Sequence, residues 1–223
     1  MALVSTAWAA QGSATITKIS GTAQMSTDGS TWSAAAVGKS LAPGSSIKSA
    51  AGGQVDLTLG SNGGAVQLTA STELKIEKLT SQSSGAGSVV ETGLDLKSGT
   101  IVGRVNQLPA GSKYEIKTPS SVIAINATRG SVRYQINANG TAHVLEGQIA
   151  VSRATGAAQT VNSGQTFNGA GAASGTVTAT NPADLVALPP PLMPGGGSPP
   201  TLPTAPTVQF VSPVPEVSGT TGN

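Results

Sequence analysis

The feature that most constrains this chain is a pattern repeated between Glu91 and Phe167: short stretches with apolar side chains two residues apart, each closed by a turn. Leu94-Asp-Leu96, Tyr114-Glu-Ile116, Val132-Arg-Tyr134-Gln-Ile136 and Ile149-Ala-Val151 all follow it. A β-strand sends successive side chains to opposite faces, so each stretch has one apolar face and one wet face. Glycine or proline punctuates the stretches at Gly99, Pro119, Gly147 and Gly164. Earlier segments repeat the theme at 15–19, 54–59, 65–69 and 73–77. No segment holds a helical period over several turns. Many short strands with turn signals between them predict an all-β single domain, either a twisted β-helix or solenoid-like stack or a jelly-roll-like sandwich. Ser81 to Ser88 lacks an apolar anchor and reads as a surface loop, and Trp32 as a core or lid residue.

From about Asn181 the composition shifts. Pro189-Pro-Pro191 and Pro194-Gly-Gly-Gly-Ser-Pro-Pro200 cannot join a sheet ladder, because proline has no amide donor. The chain therefore divides into a leader at 1–12, a β domain at 13–180, a Pro/Gly-rich linker at 181–206 and a β-prone tail at 207–223. In the tail, Thr207, Val208, Gln209, Phe210 and Val211 form a strand-like patch, a candidate interaction segment for a sheet edge on this domain or on a second copy. In the leader, Ala7-Trp8-Ala9 has small residues where signal peptidase needs them, without a basic start, and reads as a signal-peptide remnant. No apolar run approaches the roughly 20 residues of a membrane span.

Charged residues make up 10 % of the chain, against about 25 % in an ordinary soluble protein. The 12 basic and 10 acidic residues are interspersed, without the basic cluster and stacking aromatics that nucleic acid requires. Cysteine is absent, which removes disulfides, thiolate metal sites and a cysteine nucleophile together. The single histidine, His143, lies in a strand-like stretch and is expected to be exposed or at an edge, with no nucleophile beside it. Glu73 and Glu77 flank Lys75, and Glu91 and Asp95 lie near Lys97, as on a solvated, charge-paired sheet face rather than in an acid/base pair. The acids follow no calcium-loop spacing, and Gly60 to Gly64 lacks the Lys-Ser/Thr of a phosphate cradle. The expectation is a chain with no catalytic residue, no metal site and no cofactor.

The order of the turns is itself a signature. Gly21-Thr-Ala, Trp32, Val37-Gly38, Leu41-Ala-Pro-Gly44 and Ile47-Lys-Ser come first, then Val55-Asp-Leu-Thr-Leu-Gly60 and Leu94-Asp-Leu-Lys-Ser-Gly99. Tyr114-Glu-Ile-Lys-Thr-Pro119-Ser-Ser-Val122 follows, then Arg129-Gly130-Ser131, Val144-Leu-Glu-Gly147 and Ser163-Gly164-Gln165. From about Gly21 to Phe167 this series resembles the FecR-type domain, a periplasmic β-rich module, with Ser131 where that family usually has threonine. Members that act as transmembrane anti-sigma regulators carry a cytoplasmic helical domain, a membrane span and a receptor-docking segment. This chain is closer to the stand-alone exported form.

That resemblance implies a periplasmic or extracellular address and does not imply iron binding. Pro119, Arg129, Gly130, Ser131, Gly147 and Gly164 are read as a structural motif. Pro119 ends a strand, Gly130 supplies a backbone conformation denied to other residues, and Arg129 reaches carbonyls or an acid such as Glu146. The expected function is a non-enzymatic, exported envelope module for interaction or structure, which self-associates through 207–211. The alternative is a periplasmic signal-sensing module of FecR type. Either works through a protein partner or a second copy of itself.

Overall fold

A computed structural model describes residues 10–60, 64–84, 87–153, 157–169 and 175–186. These form two β-sheets around one apolar core, with a 3-10 turn at Pro182–Asp184. Sheet 1 runs from edge to edge through β4 (Ser33–Ala34), β3 (Ala23–Ser26), β6 (Ser46–Ser49), β9 (Glu73–Ser84) and β10 (Gly87–Ser98). It continues through β12 (Lys113–Lys117), β13 (Val122–Ile125), β16 (Gln148–Ser152) and β17 (Gln159–Asn162), with β1 (Ala10–Gln11) paired to the second half of β9. Sheet 2 runs through β5 (Ser40–Leu41), β2 (Ala14–Ser20), β7 (Gln54–Thr58), β8 (Gly64–Leu68) and β11 (Thr100–Val105). It ends with β14 (Val132–Asn137), β15 (Ala142–Glu146), β18 (Gln165–Asn168) and β19 (Thr176–Ala179). Neighbouring strands are antiparallel except β10 and β12, which are parallel.

Both sheets grow in nearly the same chain order. The chain switches layers repeatedly: β7–β8 in sheet 2, β9–β10 in sheet 1, β11 in sheet 2, β12–β13 in sheet 1, β14–β15 in sheet 2, β16–β17 in sheet 1 and β18–β19 in sheet 2. Of the two expected forms this is the sandwich, wound hairpin upon hairpin.

Alternation builds the core directly. In β12, Tyr114 and Ile116 are buried while Lys113, Glu115 and Lys117 are exposed. Leu57, Leu74, Ile76, Leu94, Ile101, Ile136 and Ile149 reach zero exposure from both layers. The chain's two tyrosines meet between the sheets: Tyr114 of β12 and Tyr134 of β14 share a hydrogen bond of 3.1 Å between their hydroxyls. Gly103 makes room for this, since a Cβ there would stand 2.2 Å from the Tyr134 ring.

Two glycines let the chain change layers in a single residue. Gly99 separates β10 from β11 at φ 80°, and a Cβ on it would lie 2.3 Å from Thr72 Oγ1 and 2.7 Å from the Ser71 carbonyl oxygen. Gly147 separates β15 from β16 at φ 81°, with its Cβ direction 2.8 Å from the Ser131 carbonyl oxygen. Only a residue without a side chain combines a left-handed backbone with so close an approach.

The structure corrects three expectations. The stretch from Ser81 is not a loop: β9 continues to Ser84 and β10 begins at Gly87, because pairing along the hairpin satisfies the backbone without apolar anchoring. Trp32 is half-buried, and Lys48 Nζ sits 3.9 Å above its ring centre, so it lies over the surface and outside the core. His143 is neither exposed nor at an edge. It is 3 % exposed, on the interior strand β15. A further strand, β19, was not anticipated. The described structure runs from Ala10 to Val186. The leader at 1–9 and the tail at 207–223 lie outside the described residues.

Candidate functional site

Nearly half of the charged side chains belong to β9, β10 and β12, three adjacent strands at the centre of sheet 1. Strand alternation sends Glu73, Lys75, Glu91, Asp95, Lys113, Glu115 and Lys117 to the outer face. Glu77 and Lys78 both join them because of a bulge. Pairing shifts from Leu94 opposite Ile76 to Gly93 opposite Lys78, so two consecutive β9 residues face the same side. The spacing of the buried residues Leu74, Ile76 and Leu79 is the trace of this bulge in the sequence.

Parallel pairing sets Glu91 beside Lys113, Gly93 beside Glu115 and Asp95 beside Lys117. Ion pairs then tie the strands together: Lys78 to Glu91, and Lys117 to Glu77 at 2.7 Å. Lys97 holds Asp95 of its own strand at 2.5 Å. Asp95 thus pairs with Lys97 as its spacing suggests, while Glu77 and Glu91 take their partners from neighbouring strands. The hydrogen bond that Lys78 donates lowers the Glu91 pKa, and the one that Lys97 donates to Asp95 raises the Lys97 pKa. Glu77 does the same for Lys117.

Gly93 leaves a gap in this layer. It floors a shallow depression of about 230 Å³ lined by Glu77, Lys78, Glu91, Lys113, Glu115 and Lys117. Its carboxylates and ammonium groups offset one another, so it presents a patterned field rather than a single strong charge. Exposed pairs of this kind contribute little to stability.

The outer face of sheet 2 is different. One residue per strand forms a straight cross-strand row: Lys18, Asp56, Gln67, Val102, Gln135, His143, Thr166 and Thr178. Gln67 donates to Asp56 Oδ1 at 2.7 Å, while its own buried carbonyl oxygen has no partner. After β19 the chain turns back over this face. The Gln135 side chain donates to the Asp184 carbonyl at 3.0 Å and accepts the Val186 N–H at 2.7 Å. Thr180 and Thr166 share a hydroxyl hydrogen bond of 2.9 Å, and Thr166 is 2.8 Å from His143 Nδ1. Burial lowers the His143 pKa, and the negative charge of Asp184 works against that. A reading strand by strand could not foresee this cover, since it arrives from some forty residues further along the chain.

The motif residues fall in two places. Pro119 sits in the turn Thr118–Ser121 between β12 and β13, where the Thr118 N–H donates to the Ser121 carbonyl at 2.8 Å. Arg129, Gly130 and Ser131 lead into β14, at its opposite end. There Ser131, not Arg129, meets Glu146, with its hydroxyl donating at 2.6 Å, and Gly147 closes the same corner. Arg129 is exposed. Gly130 has φ 158°, and a Cβ on it would meet nothing within 4 Å. Gly164 turns β17 into β18, its N–H donating to the Val144 carbonyl at 2.8 Å. Thr207, Val208, Gln209, Phe210 and Val211 lie outside the described residues. Among the described residues, no three His, Cys, Asp or Glu side chains are grouped to hold a metal, and no helix is long and apolar enough to cross a membrane.

Residues 45–150 match the family described as FecR protein. No curated protein matches the chain. Among solved structures, the crystal structure of a candidate anti-sigma factor from Parabacteroides distasonis is similar at 13 % identity and a TM-score of 0.46, covering 61 % of this chain. The match spans 59 % of that protein's own length.

Proposed function

We propose that this chain, whose residues 45–150 match the family described as FecR protein, is a non-enzymatic, exported module of the cell envelope that acts by binding a protein partner through the outer face of sheet 1. The observation that carries this reading is the gathering of charge on β9, β10 and β12 in a chain that is otherwise poor in it. The matching row on the outer face of sheet 2 is mainly uncharged, with Gln67, Val102, Gln135, Thr166 and Thr178 in it. Alternating charges over a shallow floor supply register and selectivity in a protein contact, more than raw affinity. Sensing or regulation of the FecR type would operate through that contact.

Export is supported by the Ala7-Trp8-Ala9 triplet and the low charge. A phosphatase that is active only outside the cytoplasm, fused after Asn223, reports it, and an inactive fusion refutes it. For the binding face, a photo-cross-linking residue is placed at Glu115, or at Arg104 on sheet 2, in living cells. Partner adducts at 115 and none at 104 support the proposal. Equal adducts at both positions, or adducts at 104 alone, overturn it.

A further inference from the structure

The only histidine of this chain is buried on the outside of a sheet, beneath a segment that few contacts hold down. Asn181–Val186 makes no ladder with any strand. Its local bonds are Asp184 N–H to the Asn181 carbonyl at 3.0 Å, Leu185 N–H to the Pro182 carbonyl at 3.3 Å and the Asn181 side chain accepting from the Ala183 N–H at 3.1 Å. One side chain, Gln135, anchors its backbone to the sheet, and only Leu185 is even half-buried. Segments with so little apolar burial open with low free energy.

Beneath it, His143 is flanked by uncharged neighbours, Gln135 on β14 and Thr166 on β18. The charged group facing the ring is Asp184, on the segment itself.

We propose that Asn181–Val186 is a releasable strap: at neutral pH it lies closed over His143, and on acidification the ring takes up a proton and the strap lifts, baring the Gln135–His143–Thr166 row. The reading is independent of the partner face on sheet 1. An imidazolium donates from both nitrogens and needs water or acceptors around it. Under the strap, Nδ1 meets a single hydroxyl oxygen, Thr166 Oγ1, which is already shared with Thr180.

The direction follows from linkage. Burial depresses the proton affinity of the covered ring, although Asp184 pulls the other way. A ring that binds protons less readily when covered favours the uncovered state as pH falls below the ordinary value of about 6.5. The opening equilibrium then rises by up to about tenfold per pH unit, until the covered ring itself titrates.

A single histidine makes the test direct. The full chain, isotopically labelled, is followed by NMR from neutral to acid pH, reading the imidazole titration and the hydrogen-exchange protection of the Val186 amide. Expected is a midpoint below that of a free histidine. Val186 protection, corrected for intrinsic exchange, should fall over the same range while the β14 and β15 amides hold theirs. His143→Gln should make Val186 protection independent of pH, and Asp184→Asn should move the imidazole midpoint further down. Val186 protection that stays constant through the imidazole titration overturns the proposal. So does an equal loss in His143→Gln, or a midpoint at the free-histidine value. If His143→Gln does not fold, the wild-type comparison and Asp184→Asn decide alone.

Discussion

Replacing Gly99 with alanine should cost far more than replacing Gly164, although both residues have the same left-handed backbone, at φ 80° and 76°. At Gly164 a Cβ would meet nothing within 4 Å, so the penalty is the backbone alone, about 1–2 kcal/mol. At Gly99 the Cβ would stand 2.6 Å from Thr72 Cα and 2.7 Å from the Ser71 carbonyl oxygen. Both are main-chain atoms that cannot rotate away. The same Thr72 hydroxyl accepts from the Thr100 N–H at 3.0 Å and donates to its carbonyl at 3.1 Å, so displacing it also breaks the start of β11. Overpacking added to the backbone penalty brings the cost to about 3–5 kcal/mol. For a domain of this size each kcal/mol lowers Tm by about 2–4 °C, so Gly164→Ala should lose about 2–8 °C and Gly99→Ala about 6–20 °C. Gly147→Ala should fall between them, since its nearest obstacles are the Ser131 carbonyl oxygen and a Val132 methyl, both at 2.8 Å. Urea titration followed by circular dichroism, with unchanged slope, measures the series. Equal losses at 99 and 164, or the reverse order, would show that the one-residue change of layer is not what demands glycine.

Tyr114→Phe or Tyr134→Phe should each destabilise by about 1–2 kcal/mol, leaving a buried hydroxyl without its partner, and the double variant should cost clearly less than the sum of the two. A double-mutant cycle in urea checks this, and additive losses refute the inter-sheet hydrogen bond. Burial raises the pKa of both tyrosines. Their folded-state proton affinity therefore exceeds the unfolded one, so stability should be full below about pH 10 and decline as pH rises further. The double Phe variant should lose that alkaline decline in thermal melts taken across the range. Deleting residues 189–223 should reduce any self-association measured by light scattering; an unchanged mass removes the role assigned to Thr207–Val211.

Much of the sandwich is visible in the chain because alternation decides both strand and face. Tyr114, Ile116, Ile149 and Val151 turn inward as their spacing requires, and Gly99 and Gly147 mark the changes of layer. The charge grouping around Glu77 and Glu91 is visible too, although its partners are not, since Lys117 and Lys78 arrive through strand pairing and through the bulge. His143 was misplaced for a related reason. Its position is outward-facing by local pattern, and what buries it lies on Asn181–Val186, distant in sequence. The stretch from Ser81 shows the converse limit: backbone pairing can hold a strand whose side chains give no apolar signal. In the Arg129-Gly130-Ser131 corner the bond runs from the short Ser131 hydroxyl, a detail of reach that residue types alone do not fix.

The two layers are laid down in step, and with two exceptions each strand pairs with neighbours that precede or follow it by at most three strands. The exceptions are β1, which waits for β9, and β2, which waits for β7. A polypeptide threaded through a narrow channel, N-terminus first, would find the docking edge for each new hairpin already assembled. The earlier storeys would not wait for the last residues to emerge, and little apolar surface would stand bare during passage. Such a molecule is suited to maturing while it is still being delivered.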